Sequence, residues 1–268
     1  MYTTFLEFAT TIAKKAGEEL MTHYGKTDTA TRDSSALKTS YDLAADQILV
    51  KAIETTFPDH SYLTEETGKV TKGNEYLWII DPLDGTRNFV NNNPFFAVSI
   101  ALWQNGEPVV AVIEAPALQE RYVAVKGQGA TLIRYDEQQT SPAHVSTTTK
   151  LEDAYAVYCF GGSYDRAAVY KGMEEIHVRA KDTRLLGSAA LELAWVGTGR
   201  ADYYATPNIA LWDIAAGVLF VTEAGGKVTN FLTKEYAWND IVTVERCDLV
   251  ATNGRIAVPE INLHNNVF

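Results

Sequence analysis

The chain has 268 residues, of which 46% are hydrophobic and 21% charged, and its formal net charge is −11. That acidic balance argues against a nucleic-acid coat, which needs a basic face, and an anionic substrate would need local positive charge such as a bound metal. Two cysteines, Cys159 and Cys247, build neither a disulfide framework nor a structural zinc site, so a reduced, cytoplasmic compartment is expected.

The N-terminal stretch lacks a continuous apolar segment and is not read as a signal peptide. No run reaches the roughly 18–20 apolar residues of a membrane span, so no membrane is expected as a partner. Phe5, Phe8, Ile12, Ala16, Leu20 and Tyr24 recur every three or four residues and predict an amphipathic helix stopped by Gly25. Residues 26–37 are polar and read as a loop, with Lys38 after it. A second helix starts near Ser40–Asp42, carries Ala44, Ala45, Ile48, Leu49 and Ile53, and ends before Phe57-Pro58. Tyr62-Leu63 then leads into Thr64-Glu65-Glu66.

Leu77–Ile80 is an unbroken apolar run, which predicts a strand buried on both faces and stopped by Pro82. Three strands follow, Phe96–Trp103, Pro108–Glu114 and Arg121–Val125, joined by hairpin-like connections, and a turn at 126–130 precedes Leu132-Ile133. Residues 136–150 are the most polar stretch and divide the chain into 1–145 and 146–268, two halves of one unit. The second half alternates. Strand 154–160, turn 161–163, helix 165–179, strand 183–186 and helix 189–197 come first. Strand 201–205, loop 206–210, helix 211–224 and strands 227–230 and 248–252 complete it. Mixed sheets layered with helices fit this α+β order, whereas strict βαβ alternation does not. Neither GxGxxG nor GxxxxGK[ST] occurs, so dinucleotide and P-loop readings lack their main support.

Two aspartates three apart, Asp81 and Asp84, end the apolar run, followed at once by Gly85 and Thr86. Magnesium favours a few carboxylates with waters and substrate phosphate. The two carboxylates and the Leu83 carbonyl between them suit it, provided that the Pro82 turn brings both onto one side. Glu65, Asp213 and Asp46 also stand at or near the ends of apolar elements. Each alone reads as a cap or a solvated carboxylate, as Asp213 would early in its helix.

Together, Thr64-Glu65-Glu66, Asp81-Pro82-Leu83-Asp84-Gly85-Thr86 and Trp212-Asp213 resemble the inositol monophosphatase family of lithium-sensitive, magnesium-dependent phosphatases. The resemblance spans nearly the whole chain. It takes in Asp42–Asp46 as the family's xVTxxD element, Gly187–Ala190 as its GSxA element, and Gly199–Tyr203. It implies a layered αβαβα sandwich of mixed, largely antiparallel sheets. Glu65, Asp81, the Leu83 carbonyl, Asp84 and Asp213 would ligate two or three Mg²⁺. Thr86, with Glu65, would orient and deprotonate the attacking water, and Asp46 would hold hydrogen bonds around Thr86. The amides of Gly85 and Thr86 would receive phosphate oxygens. Gly187, Ser188 and Ala189 would border the substrate, and Asp84 and Asp213 would also face it. The implied activity is hydrolysis of a small phosphorylated polyol or sugar, inositol monophosphate-like, by metal-activated water.

Inositol-specific members carry a Glu seven residues before the aspartate of the Trp-Asp pair, here Asp213, where this chain has Thr206, so inositol selectivity is the point at issue. Arg87 stands where many relatives have a small hydroxyl residue; it either reaches a further anion or extends into solvent. Related phosphatases act on adenosine bisphosphate, fructose bisphosphate, histidinol phosphate and NADP. A non-catalytic member that binds a ligand or partner is the alternative class. The family's common state predicts a homodimer, with Trp103 among the apolar residues available to it.

Overall fold

The computed structural model describes residues 2–26, 39–73, 75–160, 166–236, 238, 246–257 and 259–261. Most of the loop expected over 26–37, Lys38 and the turn at 161–163 lie outside the described residues.

Helix α1 (Tyr2–His23) buries Ala9, Ile12, Ala13, Ala16 and Leu20, one face at helical spacing. Helix α2 (Ser40–Thr56) begins on a capping box. There the Tyr41 amide donates to Thr39 Oγ1 at 3.2 Å, and the Thr39 amide donates to Asp42 Oδ2 at 2.8 Å.

Eight strands follow: β1 (Ser61–Thr64), β2 (Gly68–Val70), β3 (Tyr76–Asp84), β4 (Ala97–Gln104), β5 (Glu107–Ala115), β6 (Glu120–Val125), β7 (Gly129–Arg134) and β8 (Gln139–Ala143). Helix α3 (Thr86–Val90) sits between β3 and β4. The strands form one sheet in the order β2-β1-β3-β4-β5-β6-β7-β8, antiparallel except where β1 runs parallel to β3. Pro82 does not end its strand. The pairing of β3 with β4 shifts register between Asp81 and Asp84 and then resumes, so a bulge accommodates the residue that has no amide to donate.

The second half contributes β9 (Tyr155–Tyr158), α4 (Arg166–Gly172), α5 (Glu174–Arg179), β10 (Asp182–Arg184), α6 (Ala189–Gly197), β11 (Tyr203–Ala210), α7 (Leu211–Glu223), β12 (Lys227–Thr229) and β13 (Arg246–Thr252). Its sheet runs β10-β9-β11-β13-β12. The single helix expected over 165–179 is broken at Met173, which leaves helical geometry at φ −99° and ψ 5°. The loop expected over 206–210 is strand, because pairing with β13 recovers at Ile209 after an irregularity at Pro207-Asn208.

The layers read αβαβα. Alternate residues of β3 and β5 face opposite ways, as a period of two requires. Trp78, Ile80, Val110 and Val112 pack beneath α1 and α2, whereas Ile79, Ala111 and Ile113 pack toward α6 and α7. Val169, Met173 and Ile176 cover the far side of the second sheet against Ala156, Tyr203 and Val250. Trp103, expected at the surface, is 1% exposed and meets Trp238 edge-on. Helices α6 and α7 approach closely through two glycines, Gly197 against Phe220 and Gly217 against Leu193. Those contacts advance in the same direction along both helices. The helices therefore run side by side, with their N-termini at the same end.

Candidate metal and phosphate site

Parallel pairing sets Thr64 opposite Ile80, so Glu65 leaves β1 beside Asp81, and its amide donates to the Ile80 carbonyl at 3.3 Å. Asp213 arrives from the first turn of α7. Glu65, Asp81 and Asp213 each bring one carboxylate oxygen within 4.8 Å of the others. The bulge after Asp81 carries Asp84 to the same pocket, of about 360 Å³, which Leu83, Gly85, Thr86, Arg87 and Gly187 also line. Gly85 needs to be glycine: its φ is +88°, and a β-carbon there would stand 2.9 Å from the Phe95 carbonyl oxygen.

Thr86 Oγ1 lies 3.1 Å from the Leu83 carbonyl and 3.1 Å from Asp42 Oδ1. The carboxylate facing Thr86 is therefore Asp42, and the expected role of Asp46 is corrected. Asp46 lies one helical turn further on, where its Oδ2 accepts from Thr67 Oγ1 at 2.5 Å. The T-x-x-D spacing of the family element is met by Thr39 and Asp42, the same pair that caps α2. That spacing was the signal in the sequence.

Asp84 turns toward α6. It accepts from Ser188 Oγ at 2.5 Å and from the amides of Ala189 and Ala190 at 3.2 and 2.8 Å. Ser188 and Ala189 thus stand behind Asp84, and Gly187, with Leu185 and Leu186, forms the pocket wall. Thr206 does not reach the pocket. It is fully buried in β11, where its hydroxyl accepts from Cys159 Sγ at 2.9 Å. Sequence reasoning missed Asn88, whose Nδ2 donates to the Phe95 and Leu186 carbonyls at 2.7 and 2.8 Å, and Glu192, which holds the wall from beneath.

The electrostatics explain what the cluster lacks. Burial, then the charges of Glu65, Asp84 and Asp213, push the Asp81 carboxyl well above its ordinary value. Asp213 rises to about 8, through burial and then Asp84 and Glu65. Asp84 rises to about 6 through burial, restrained by its three donors on α6. Burial also raises Asp42, against the hydrogen bonds from Thr39 and Thr86. No described Lys or Arg forms an ion pair with Glu65, Asp81, Asp84 or Asp213 (Glu65 does have a protein partner). Clustered hard oxygen donors of one sign fit a divalent cation such as Mg²⁺.

A family model described as the inositol monophosphatase family matches residues 1–262. A Thermotoga maritima protein named fructose-1,6-bisphosphatase/inositol-1-monophosphatase is 39% identical over 86% of this chain and 86% of its own length. A Xylella fastidiosa protein named Nus factor SuhB is 36% identical over 91% of this chain and 88% of its own. Among solved structures, an inositol monophosphatase from Anabaena (Nostoc) sp. PCC 7120 superposes with a TM-score of 0.78 at 36% identity, covering 94% of this chain and 92% of that one.

Proposed function

The chain belongs to the inositol monophosphatase family, and we propose that it is a Mg²⁺-dependent phosphomonoesterase acting on a small phosphorylated polyol or sugar, inositol monophosphate first among them. One observation carries this reading: Glu65, Asp81 and Asp213, far apart in the chain, each direct an oxygen to one point beside Thr86.

Glu65, Asp81, the Leu83 carbonyl, Asp84 and Asp213 would hold two or three Mg²⁺. When bound, the ions supply charge neutralisation at the phosphate and activation of water. The chain's own residues do the rest. Glu65 and the Thr86 hydroxyl orient the attacking water, and Asp42 Oδ1, 3.1 Å from Thr86 Oγ1, receives or holds the hydroxyl proton. The amides of Gly85 and Thr86 receive phosphate oxygens, and the wall at Gly187 bounds the group that carries the phosphate. Water attacks in line, and no phosphoenzyme forms. Because Thr206 is buried away from the pocket, nothing at that position grips ring hydroxyls, and other monophosphates belong in the substrate panel beside inositol monophosphate.

The test is phosphate release from a panel of inositol, sugar, nucleotide and histidinol phosphates, with Mg²⁺ and then with added Li⁺. We expect Mg²⁺-dependent, Li⁺-sensitive turnover that Asp81→Asn reduces by roughly a thousandfold or more. Full activity in that variant, or in excess chelator, defeats the reading. A second reading rests on the relatives named Nus factor SuhB: a role in binding a partner, alone or beside catalysis. No turnover on any monoester would favour it. We further propose a cytoplasmic homodimer, to be checked by light scattering.

A further inference from the structure

Among the buried carboxyls that the chemistry above does not use, one reaches the pocket wall. Glu192 is the only charged side chain of α6 and is fully buried. Its Oε1 accepts from the Leu186 amide at 2.8 Å and the Gly187 amide at 3.3 Å. Its Oε2 has no hydrogen-bond partner among the described residues. Burying a carboxyl in an apolar helix is costly unless hydrogen bonds offset it, and both bonds that offset it go to the pocket wall.

That wall is gripped from two sides. Asn88 donates to the Leu186 and Gly187 carbonyls at 2.8 and 3.3 Å, while Glu192 accepts from the amides of the same two residues. Glu192 and Asp84 also divide the amides between them. Asp84 takes those of Ala189 and Ala190, and Glu192 takes those of Leu186 and Gly187. Gly187, at φ +83°, turns the chain where the Glu192 set ends. Without Glu192, the Leu186 and Gly187 amides lose their acceptor, and the wall keeps only the grip of Asn88 on its carbonyls.

We propose that Glu192 is a positioning residue, fixing the Leu185–Gly187 wall against which the non-phosphate part of the substrate rests and so setting substrate affinity without touching substrate. The inference rests on the phosphomonoesterase reading. Burial holds the Glu192 carboxyl well above its ordinary pKa, so glutamine is the conservative replacement and methionine the replacement that keeps volume but removes the acceptor.

The experiment compares the full chain with Glu192→Met and Glu192→Gln, using inositol 1-phosphate as substrate and inorganic phosphate as inhibitor. Glu192→Met should raise KM roughly tenfold, with kcat and inhibition by phosphate kept within about twofold. Glu192→Gln should keep KM within about twofold of the native value. Hydrogen exchange gives a readout independent of turnover: the Leu186 and Gly187 amides should lose protection in Glu192→Met and retain it in Glu192→Gln. An unchanged KM and unchanged protection in Glu192→Met overturn the proposal, as does a loss of phosphate inhibition in proportion to KM, which marks general disruption. If Glu192→Met does not fold, Glu192→Gln decides alone, and a rise in KM of about tenfold in it is fatal. A native chain inactive on every monoester defeats the phosphatase reading and the kinetic half of this inference with it. An active native chain whose KM ignores Glu192 defeats the inference alone.

Discussion

Two groups of acids meet at the same eight-stranded sheet and are partnered differently. On β5 and β6, Glu114 and Glu120 have cations built beside them. Arg121 Nε pairs with Glu114, which also accepts from Tyr135 at 3.0 Å. Arg200 and Arg134 pair with Glu120 at 2.6 and 3.2 Å. Burial opposes ionisation of Glu120, yet Arg200, Tyr122 and Arg134 outweigh it and hold its pKa below the usual value. At the end of β3 the carboxylates of Asp81 and Asp84, joined by Asp213 from α7, form no ion pair with a described Lys or Arg, and all three are pushed upward. Where the fold wants a charge for its own cohesion, it supplies the partner.

The largest effect that would break this contrast is in the paired group. Arg121→Met leaves Glu114 buried without its cation and should cost about 3–5 kcal/mol in urea unfolding, with turnover per folded molecule unchanged. A loss below about 1 kcal/mol would show that the pair is not structural.

Next in size is the question whether a buried, partly unpartnered acid is functional merely for being so. Asp42 and Asp46 share one helix and both are buried, yet only Asp42 faces Thr86. Asp42→Asn should lower kcat roughly a hundredfold, within the usual range for proton-handling groups, while Asp46→Asn changes stability and leaves kcat within about threefold. The reverse result would restore the assignment that the structure corrected.

The smallest effect is one of pH. Asp213 stands at about 8 in the folded chain against an ordinary 3.8. Between those values the native state binds more protons than the unfolded state, so the metal-free protein should lose stability as pH rises through that window. Glu120 has the opposite sign: its contribution is present above its ordinary 4.5 and is lost as pH falls through its lowered folded value. Thermal melts without metal should therefore show a midpoint falling by a few degrees from about pH 5 to 8, a slope that either Asp213→Asn or added Mg²⁺ flattens. A flat native profile would show that the cluster is not strained without cation.

Much of this was legible in the residues. The unalternating run Leu77–Ile80 announced a strand buried on both faces, and Glu65, Asp81, Asp84, Thr86 and Asp213 converge in the folded chain on one pocket. What escaped was relational. A proline reads locally as a strand stop, yet pairing resumes at Asp84↔Ala97 across a bulge that no single-strand pattern reveals. Asp42 and Asp46 lie one turn apart on the same helix, so only the folded contacts decide between them: Thr86 donates to Asp42, and Thr67 to Asp46. Thr206 occupies the expected position in the chain but faces into the second sheet, because β11 continues where a loop was expected. Glu192 did leave a trace, a lone carboxylate in an otherwise uncharged helix, but only tertiary packing shows which amides it reaches.

The central helix α7 has a consequence for how the chain assembles. Its N-terminus brings Asp213 to acids held by β1 and β3, and its body is packed between the two sheets. Neither half alone can complete the cluster, and closing it spans a long loop against carboxylate repulsion. Such a long-range contact is expected late in folding. Divalent-cation binding would then serve as a readout of finished assembly: a chain that has formed only one sheet presents an incomplete set of oxygens, and a refolding experiment followed by metal affinity would detect only molecules whose halves have docked.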